Sequence, residues 1–499
     1  MNREFLLETV RGQTRLAVIE DGALCELYYE RPGSEKLAGN LYLGRVQNIL
    51  PGMNAAFVDI GQEKNAFLYA GDIPVDTREE QELANRMKDA RIEKMIRPGQ
   101  ELLVQVVKEP GGTKGCRISS HVTVPGRMSV LLPSVNYVGI SRKITDPAER
   151  ERLRAIASEL IGDSGMGMIV RTAAEGVEAE ALARDYRASC ELWKELENRA
   201  RHSKAPKLIH SDGSLALRVV RDMLDESVTA IRVDDSALCV EVCRYAQLVA
   251  PELADRVHEH TGQTLLFDVY RVDAQMDKRM GRYVWLKSGG SLVVDETEAM
   301  TVIDVNTGKF VGKKSFDETV FKLNCEAARE IARLLRLRDI GGIIIIDFID
   351  MDSEEHRQAL LALLKELMAA DRNRTNVVGF TGLGLVEMTR KKVRRPLTKQ
   401  LKHMCTICGG SGNVYSYETS AWSIVRELWA WTRTQSTGSL LVETTEPIAG
   451  WLKTIGVPEG ADVYVSVKND FPPEDAVLGC WRIAPVDPKN LPEGIRHLK

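Results

Sequence analysis

Thr301-Val302-Ile303-Asp304-Val305-Asn306 and Gly341-Gly342-Ile343-Ile344-Ile345-Ile346-Asp347 are the two runs whose reading decides the fold. In the first, strand alternation puts Asp304 and Asn306 on one face and Ile303 and Val305 on the other. The second is an unbroken apolar run, long enough to be buried on both faces, and Asp347 ends it. Between them residues 318–338 show helical periodicity, with Val320, Leu323, Ala327, Ile331 and Leu334 on one stripe. A strand–helix–strand crossover makes the two strands parallel and brings their carboxyl ends to one sheet edge. Ligands bind at that edge in open α/β sheets. Asp304, Asn306 and Asp347 therefore converge, and two carboxylates with an amide oxygen suit a hard divalent cation such as Mg²⁺. Taken alone, Asp347 reads more simply as a helix cap or a solvated turn. The trio beside Thr307-Gly308-Lys309 reads as a metal site.

Outward from this stretch, 499 residues are too many for one core and imply three or more domains. The apolar content and seven tryptophans supply the cores. No apolar run approaches the roughly eighteen residues of a membrane span, and the acids in the first ten residues do not fit a secretory signal. Nine cysteines, an odd number scattered among apolar neighbours apart from Cys405 and Cys408, point to a reducing cytoplasm. The net charge of −4 announces no polyanion partner, yet Arg390-Lys391-Lys392-Val393-Arg394-Arg395 is a dense basic run. A nucleic-acid protein has this profile when its phosphate contacts are local and its active site acidic.

Residues 4–30 alternate in strand fashion around a hairpin turn at Asp21-Gly22, too short to fold alone and expected to join the α/β block at 209–275. In that block a helix is expected at 214–224, strands at 229–233 and 238–242, and a helix through Tyr245. Short strands at 40–49, 53–59, 66–69 and 100–108, punctuated by glycines, have a small-barrel pattern with the OB-fold as leading candidate. A charged helix at 78–91 interrupts them. Phe57 and Phe67 fall where such a barrel presents base-stacking rings, with Lys108 and Lys114 nearby to meet phosphates. A core position is an even alternative for Phe57.

Residues 120–203 form a further α/β unit with helices at 148–160 and 176–202. Arg171 and Thr172, between a strand and that second helix, make a socket for a phosphate; an ordinary ion pair explains Arg171 equally well. Cys405-Thr406-Ile407-Cys408 before a glycine turn resembles half of a zinc knuckle. Tetrahedral zinc needs four ligands, so either His403 and a distant residue help or a second chain donates its own pair, stapling a homodimer. The tail holds a helix at 420–433 with Trp422, Trp429 and Trp431, which fit an oligomer contact or core packing.

Together, Gly44-Arg45-Val46, Ala55-Ala56-Phe57-Val58-Asp59-Ile60-Gly61, Ile303-Asp304-Val305-Asn306-Thr307-Gly308, Ile346-Asp347-Phe348-Ile349-Asp350-Met351, Gly384-Leu385-Val386-Glu387-Met388-Thr389-Arg390 and Cys405-Thr406-Ile407-Cys408 resemble the ribonuclease E/G family over nearly the whole chain. The absence of a long Arg/Pro-rich extension makes it similar to the family's shorter type. The resemblance implies a multidomain α/β and α+β protein. An RNase H-like domain in two parts (1–37 and 209–280) is interrupted by an OB-fold RNA-binding domain (38–119) and a 5′-sensor (120–208). A DNase I-like catalytic domain (281–400), a zinc link (401–414) and a small dimerisation domain (415–499) follow.

The resemblance also implies a Mg²⁺-dependent endonuclease of the bacterial cytoplasm. It would act on single-stranded, A/U-rich RNA in rRNA maturation and mRNA turnover, and leave a 5′-phosphate and a 3′-hydroxyl. By position, Asp304 and Asp347 are its metal carboxylates and Asn306 the amide that orients the scissile phosphate. Phe57, Phe67 and Lys114 match RNA contacts; Arg171 and Thr172, with Arg374, match the 5′-monophosphate pocket. Cys405 and Cys408 match a Zn²⁺ shared between two chains, with room for a tetramer above the dimer. The segment Asn136-Tyr137-Val138-Gly139 departs from the family's pattern at the sensor. Lys309, Lys313 or Lys314 would track the RNA backbone. The rival readings are a non-catalytic RNA-binding protein and a Mg²⁺ hydrolase acting on DNA.

Overall fold

A computed structural model of the chain describes residues 2–32, 37–74, 91–109, 115–308, 316–405, 408, 410–434, 438–468, 471, 480–491 and 494–498. The expected helix at 78–91 lies almost wholly outside the described residues. The chain forms two compact units, Met1–Leu397 and Thr398–Lys499.

Among the described residues the first unit contains four sheets. One is five-stranded, in the order Val257–Glu259, Val228–Val233, Arg3–Val10, Gln13–Glu20, Ala23–Glu30. The N-terminal strands meander antiparallel, and Asp21 and Gly22 turn between two of them with φ of 48° and 79°. Arg3–Val10 then pairs in parallel with Val228–Val233. Phe5, Leu7, Leu16 and Val18 pack against Leu215–Met223 and Ser236–Val249. The expected strand at 238–242 is therefore helix. Asp235 caps it by accepting the Leu238 N–H, and Cys239, Val242 and Ala246 fall on one buried stripe.

Leu41–Leu50, Ala55–Asp59, Ala66–Tyr69, Arg117–Ser119 and Glu101–Lys108 form a five-stranded barrel, closed where 41–45 pairs with 101–105. Lys207–His210 adds an outer strand. The third sheet runs Val138–Ile140, Gly167–Val170, Ser129–Leu132, Val124–Pro125, packed on helices Pro147–Ile161 and Ala179–Arg201. The second of these helices begins later than the spacing predicts. Gly176 takes φ +73°, its N–H bonds Glu149, and only a single turn, Thr172–Ala174, precedes it.

The fourth sheet is mixed, in the order Tyr283–Trp285, Ser291–Glu296, Met300–Asn306, Gly342–Asp347, Val386–Arg390, Thr375–Phe380. Helices Phe316–Leu337 and Glu354–Ala369 both pack on one face, over Leu292, Val294, Ile303, Val305, Ile344 and Ile346. Among the described residues of this unit the opposite face is open. The run Ile343-Ile344-Ile345-Ile346 is thus buried on one side only, with Ile343 48% exposed. An all-isoleucine strand hides its alternation from a reader of the sequence, since both faces carry the same residue. Helix Phe316–Leu337 also meets the N-terminal sheet, where buried Arg336 forks onto Glu20 (2.6 and 2.7 Å) and Glu26 (2.7 and 3.1 Å).

In the second unit, helices Tyr417–Thr434 and Glu446–Ile455 pack together on a four-stranded sheet, order Trp481–Val486, Ser439–Thr444, Asp462–Val467, Arg496–Leu498. The tryptophan row divides. Trp431 packs against this core, while Trp422 and Trp429 are about half exposed. No helix among the described residues is long and apolar enough to cross a membrane.

Candidate active site

Asp304 and Asp347 are direct register partners on adjacent parallel strands, each near its carboxyl end. Ile303 and Val305 point into the core, so Asp304 and Asn306 share the open face. The Asn306 amide donates to Asp304 Oδ2 at 2.7 Å. Partial desolvation, then the charges of Asp304 and Asp350, push the Asp347 carboxyl above its usual pKa. Like charges gathered at one sheet edge are a strain that a cation relieves. Two carboxylates beside an amide oxygen also fit Mg²⁺, which keeps several of its waters.

Two further features hold this edge. Asn324, fully buried on helix Phe316–Leu337, donates to the Ile349 carbonyl at 2.8 Å and accepts the Ile349 N–H at 3.1 Å. It thereby fixes the segment between Asp347 and Asp350. A buried polar residue in an apolar helix stripe is the sequence signal that could have found it. Gly308 has φ +57°, and a Cβ there would lie 2.4 Å from the Gly289 carbonyl oxygen, so the loop leaving the site requires glycine. Lys309, Lys313 and Lys314 lie outside the described residues.

On the barrel, Phe57 is the register partner of Phe67, Phe67 of Arg117, and Arg117 of Lys108. The four side chains form one row on the barrel's outer face. Ala56, Val58, Ala66 and Leu68 fill the interior, which removes the core alternative for Phe57. The two rings meet edge to face with centroids 6.2 Å apart. Arg117 escaped the sequence reading because only strand pairing brings it beside Phe67; its Nε and Nη2 both donate to Asp72 Oδ2, at 2.9 and 2.7 Å. Lys108 is exposed, and Lys114 lies outside the described residues.

Arg171 Nη1 donates to the Gly126 carbonyl at 2.7 Å and pairs with Asp222 at 2.8 Å. Thr172 is exposed at the head of the short turn, and the long helix starts at Ala179. The expected helix N-terminus therefore does not adjoin these two residues. Arg374 is exposed just before strand Thr375–Phe380 of another sheet, three residues beyond Asp371, whose carbonyl accepts from Lys143 Nζ at 3.1 Å. In the second unit, Cys408 Sγ accepts the Gly412 N–H at 3.4 Å. Backbone donation from Gly412 and Gly410, then from the Cys405 side chain, lowers the Cys408 pKa. Among the described residues no three His, Cys, Asp or Glu side chains gather to hold a metal.

A sequence profile described as the ribonuclease E/G family matches residues 123–393. Ribonuclease G of Escherichia coli K12 is 41% identical over 456 residues, covering 91% of this chain and 93% of that protein.

The chain belongs to the ribonuclease E/G family.

Within this family, ribonuclease G of Haemophilus influenzae is 42% identical over 85% of the chain and 87% of its own length. Ribonuclease E of Escherichia coli K12 is 35% identical over 91% of the chain, which spans only 42% of that longer protein. The similarity is thus greater to ribonuclease G than to ribonuclease E.

Proposed function

We propose that the chain is a Mg²⁺-dependent endoribonuclease specific for single strands, acting in RNA processing and decay, including rRNA maturation and mRNA turnover. The carrying observation is the register pairing of Asp304 with Asp347 on the open sheet face, with Asn306 bonded beside them. Asp304 and Asp347 would hold the cation. Bound there, it supplies Lewis acidity toward the phosphate. Asn306 orients the phosphodiester through its amide. Phe57 and Phe67 stack bases of an unpaired strand while Lys108 and Arg117 meet its backbone. Water adds to phosphorus, the bond to O3′ breaks, and the products carry a 5′-phosphate and a 3′-hydroxyl.

The domain reading follows the same line. The five-stranded N-terminal sheet is RNase H-like, the barrel an OB-fold, 120–208 a 5′-sensor, and 281–400 a DNase I-like catalytic domain. Arg171, Thr172 and Arg374 receive a 5′-monophosphate. Cys405 and Cys408 contribute half of a zinc site that links two chains, with residues 415–499 as a small dimerisation domain.

Matched RNA and DNA oligonucleotides, incubated with and without Mg²⁺, test the reaction. RNA alone is cut, EDTA stops it, and Asp304→Asn or Asp347→Asn abolishes cleavage while RNA binding persists. Unchanged RNA turnover in both variants would falsify the catalytic assignment. The same assay with 5′-phosphate and 5′-hydroxyl RNA tests the sensor: the phosphorylated substrate is cut faster, and Arg171→Ala removes the difference.

A further inference from the structure

The open face of the catalytic sheet extends past the carboxylates to its edge strand, Tyr283–Trp285. There two large aromatic side chains stand in solvent: Tyr283 is 55% and Trp285 72% exposed. Both belong to the same cross-strand rows as the site. Tyr283 pairs with Val293, which pairs with Asp304, which pairs with Asp347. Trp285 pairs with Ser291, which pairs with Asn306. Register partners project to the same side of a sheet, and the buried row Val284, Leu292, Val305 confirms which side is which. Neighbouring strands lie about 4.8 Å apart, so each ring stands about 10 Å along the sheet from its partner in the site.

Solvated tryptophan on an edge strand is costly to keep and invites unwanted pairing. Here Tyr283 is also positioned. Arg282 lies over its ring at 5.5 Å and is itself clamped bidentate by Asp295 at 2.6 and 2.9 Å. A fixed cation on one side of an exposed ring leaves a prepared surface for a second flat group.

We propose that Trp285 and Tyr283 form a stacking platform for the base of a nucleotide flanking the scissile phosphate. This rests on the endoribonuclease reading above. The barrel row would hold the strand at a distance from the cut, and the platform would set which nucleotide enters the carboxylate edge. Trp285 and Tyr283 are positioning residues and take no part in bond breaking.

The experiment measures binding of fluorescein-labelled single-stranded, A/U-rich RNA to the full chain in EDTA, by anisotropy. The RNAs form a series carrying one abasic nucleotide at successive positions around the mapped cut. With wild-type protein, one position within two nucleotides of the cut loses about tenfold in affinity when its base is removed. Trp285→Ala loses the same amount on intact RNA and nothing further on that abasic RNA, because base and ring are one interaction. Trp285→Phe restores most of the loss, while Leu248→Ala, an equally exposed apolar residue elsewhere, changes nothing. If wild type cuts and binds RNA but Trp285→Ala and Tyr283→Ala bind intact RNA as tightly as wild type, the platform is wrong and the nuclease stands. If Trp285→Ala changes the mass of the assembly in light scattering instead, the face is a contact between copies and the platform is wrong. If wild type neither binds nor cuts RNA, the nuclease reading fails first.

Discussion

The Asn306 amide donates to Asp304 Oδ2 across 2.7 Å, two residues along one strand and on one face. A hydrogen bond to a metal-binding carboxylate fixes its orientation, and losing such a partner costs about 10–100-fold in metal affinity or activity. Asn306→Ala is therefore expected to raise the Mg²⁺ concentration giving half-maximal cleavage by about that factor. Asn306→Asp adds a third carboxylate in contact with Asp304 and should disrupt cleavage without unfolding the chain. A Mg²⁺ titration at fixed RNA checks both.

Phe57 and Phe67 touch edge to face on the barrel's outer row. Each substitution to alanine should weaken single-stranded RNA binding by about 1–3 kcal/mol. Because each ring supports the other, the double variant should lose less than the sum of the single losses. Anisotropy titrations of the three variants at one salt concentration measure this, and additive losses would separate the rings into independent sites.

Glu26 is buried under helix Phe316–Leu337, and burial alone would push its carboxyl up; Arg336 and then Arg372 overcome that and pull it from 4.5 to about 2. A pKa lower in the folded than in the unfolded state stabilises the fold above the unfolded value, and the gain disappears as pH falls through the folded value. About 3 kcal/mol of stability should therefore be lost between about pH 4.5 and pH 2. Urea unfolding across that range reads it. Glu26→Gln should be less stable at neutral pH and show a shallower acid decline.

Two thiols per chain cannot complete a tetrahedral zinc site. Metal analysis of the purified protein should give about half a zinc per chain, and Cys405→Ser with Cys408→Ser should remove the zinc and halve the mass in light scattering. A full zinc per chain in an unchanged dimer would end the shared-site proposal.

The meeting of Asp304, Asn306 and Asp347 at one sheet edge was legible in the sequence because Asp304 and Asn306 alternate with Ile303 and Val305, and because the helical stripe between the two strands forces them parallel. The outer row of the barrel was half legible. Phe57 and Phe67 stand out in their own strands, but Arg117 joins them only through pairing with a strand almost fifty residues away. Tyr283 and Trp285 were invisible as site neighbours for the same reason, two strands removed from Asp304 and Asn306. The run Ile343-Ile344-Ile345-Ile346 misled, since uniform hydrophobicity carries no record of which face a helix covers. Cys239 and Val242 misled in the opposite sense: a short β-branched and apolar stretch looks like a strand until Asp235 caps it as a helix. Arg171 shows a third limit. Its partner Asp222 is distant in sequence, so free guanidinium and ion pair look alike until the chain is folded.

The pairing of Arg3–Val10 with Val228–Val233 also governs how the chain is made. The Thr9 N–H bonds to an Asp234 carboxylate 225 residues downstream. At ribosomal speed that partner emerges roughly 10–45 s after Thr9. Throughout that interval the opening hairpin has a bare edge, while the barrel and the sheet behind it already have their own strands to pair with. The inserted modules can thus mature first, and the domain that encloses them closes last.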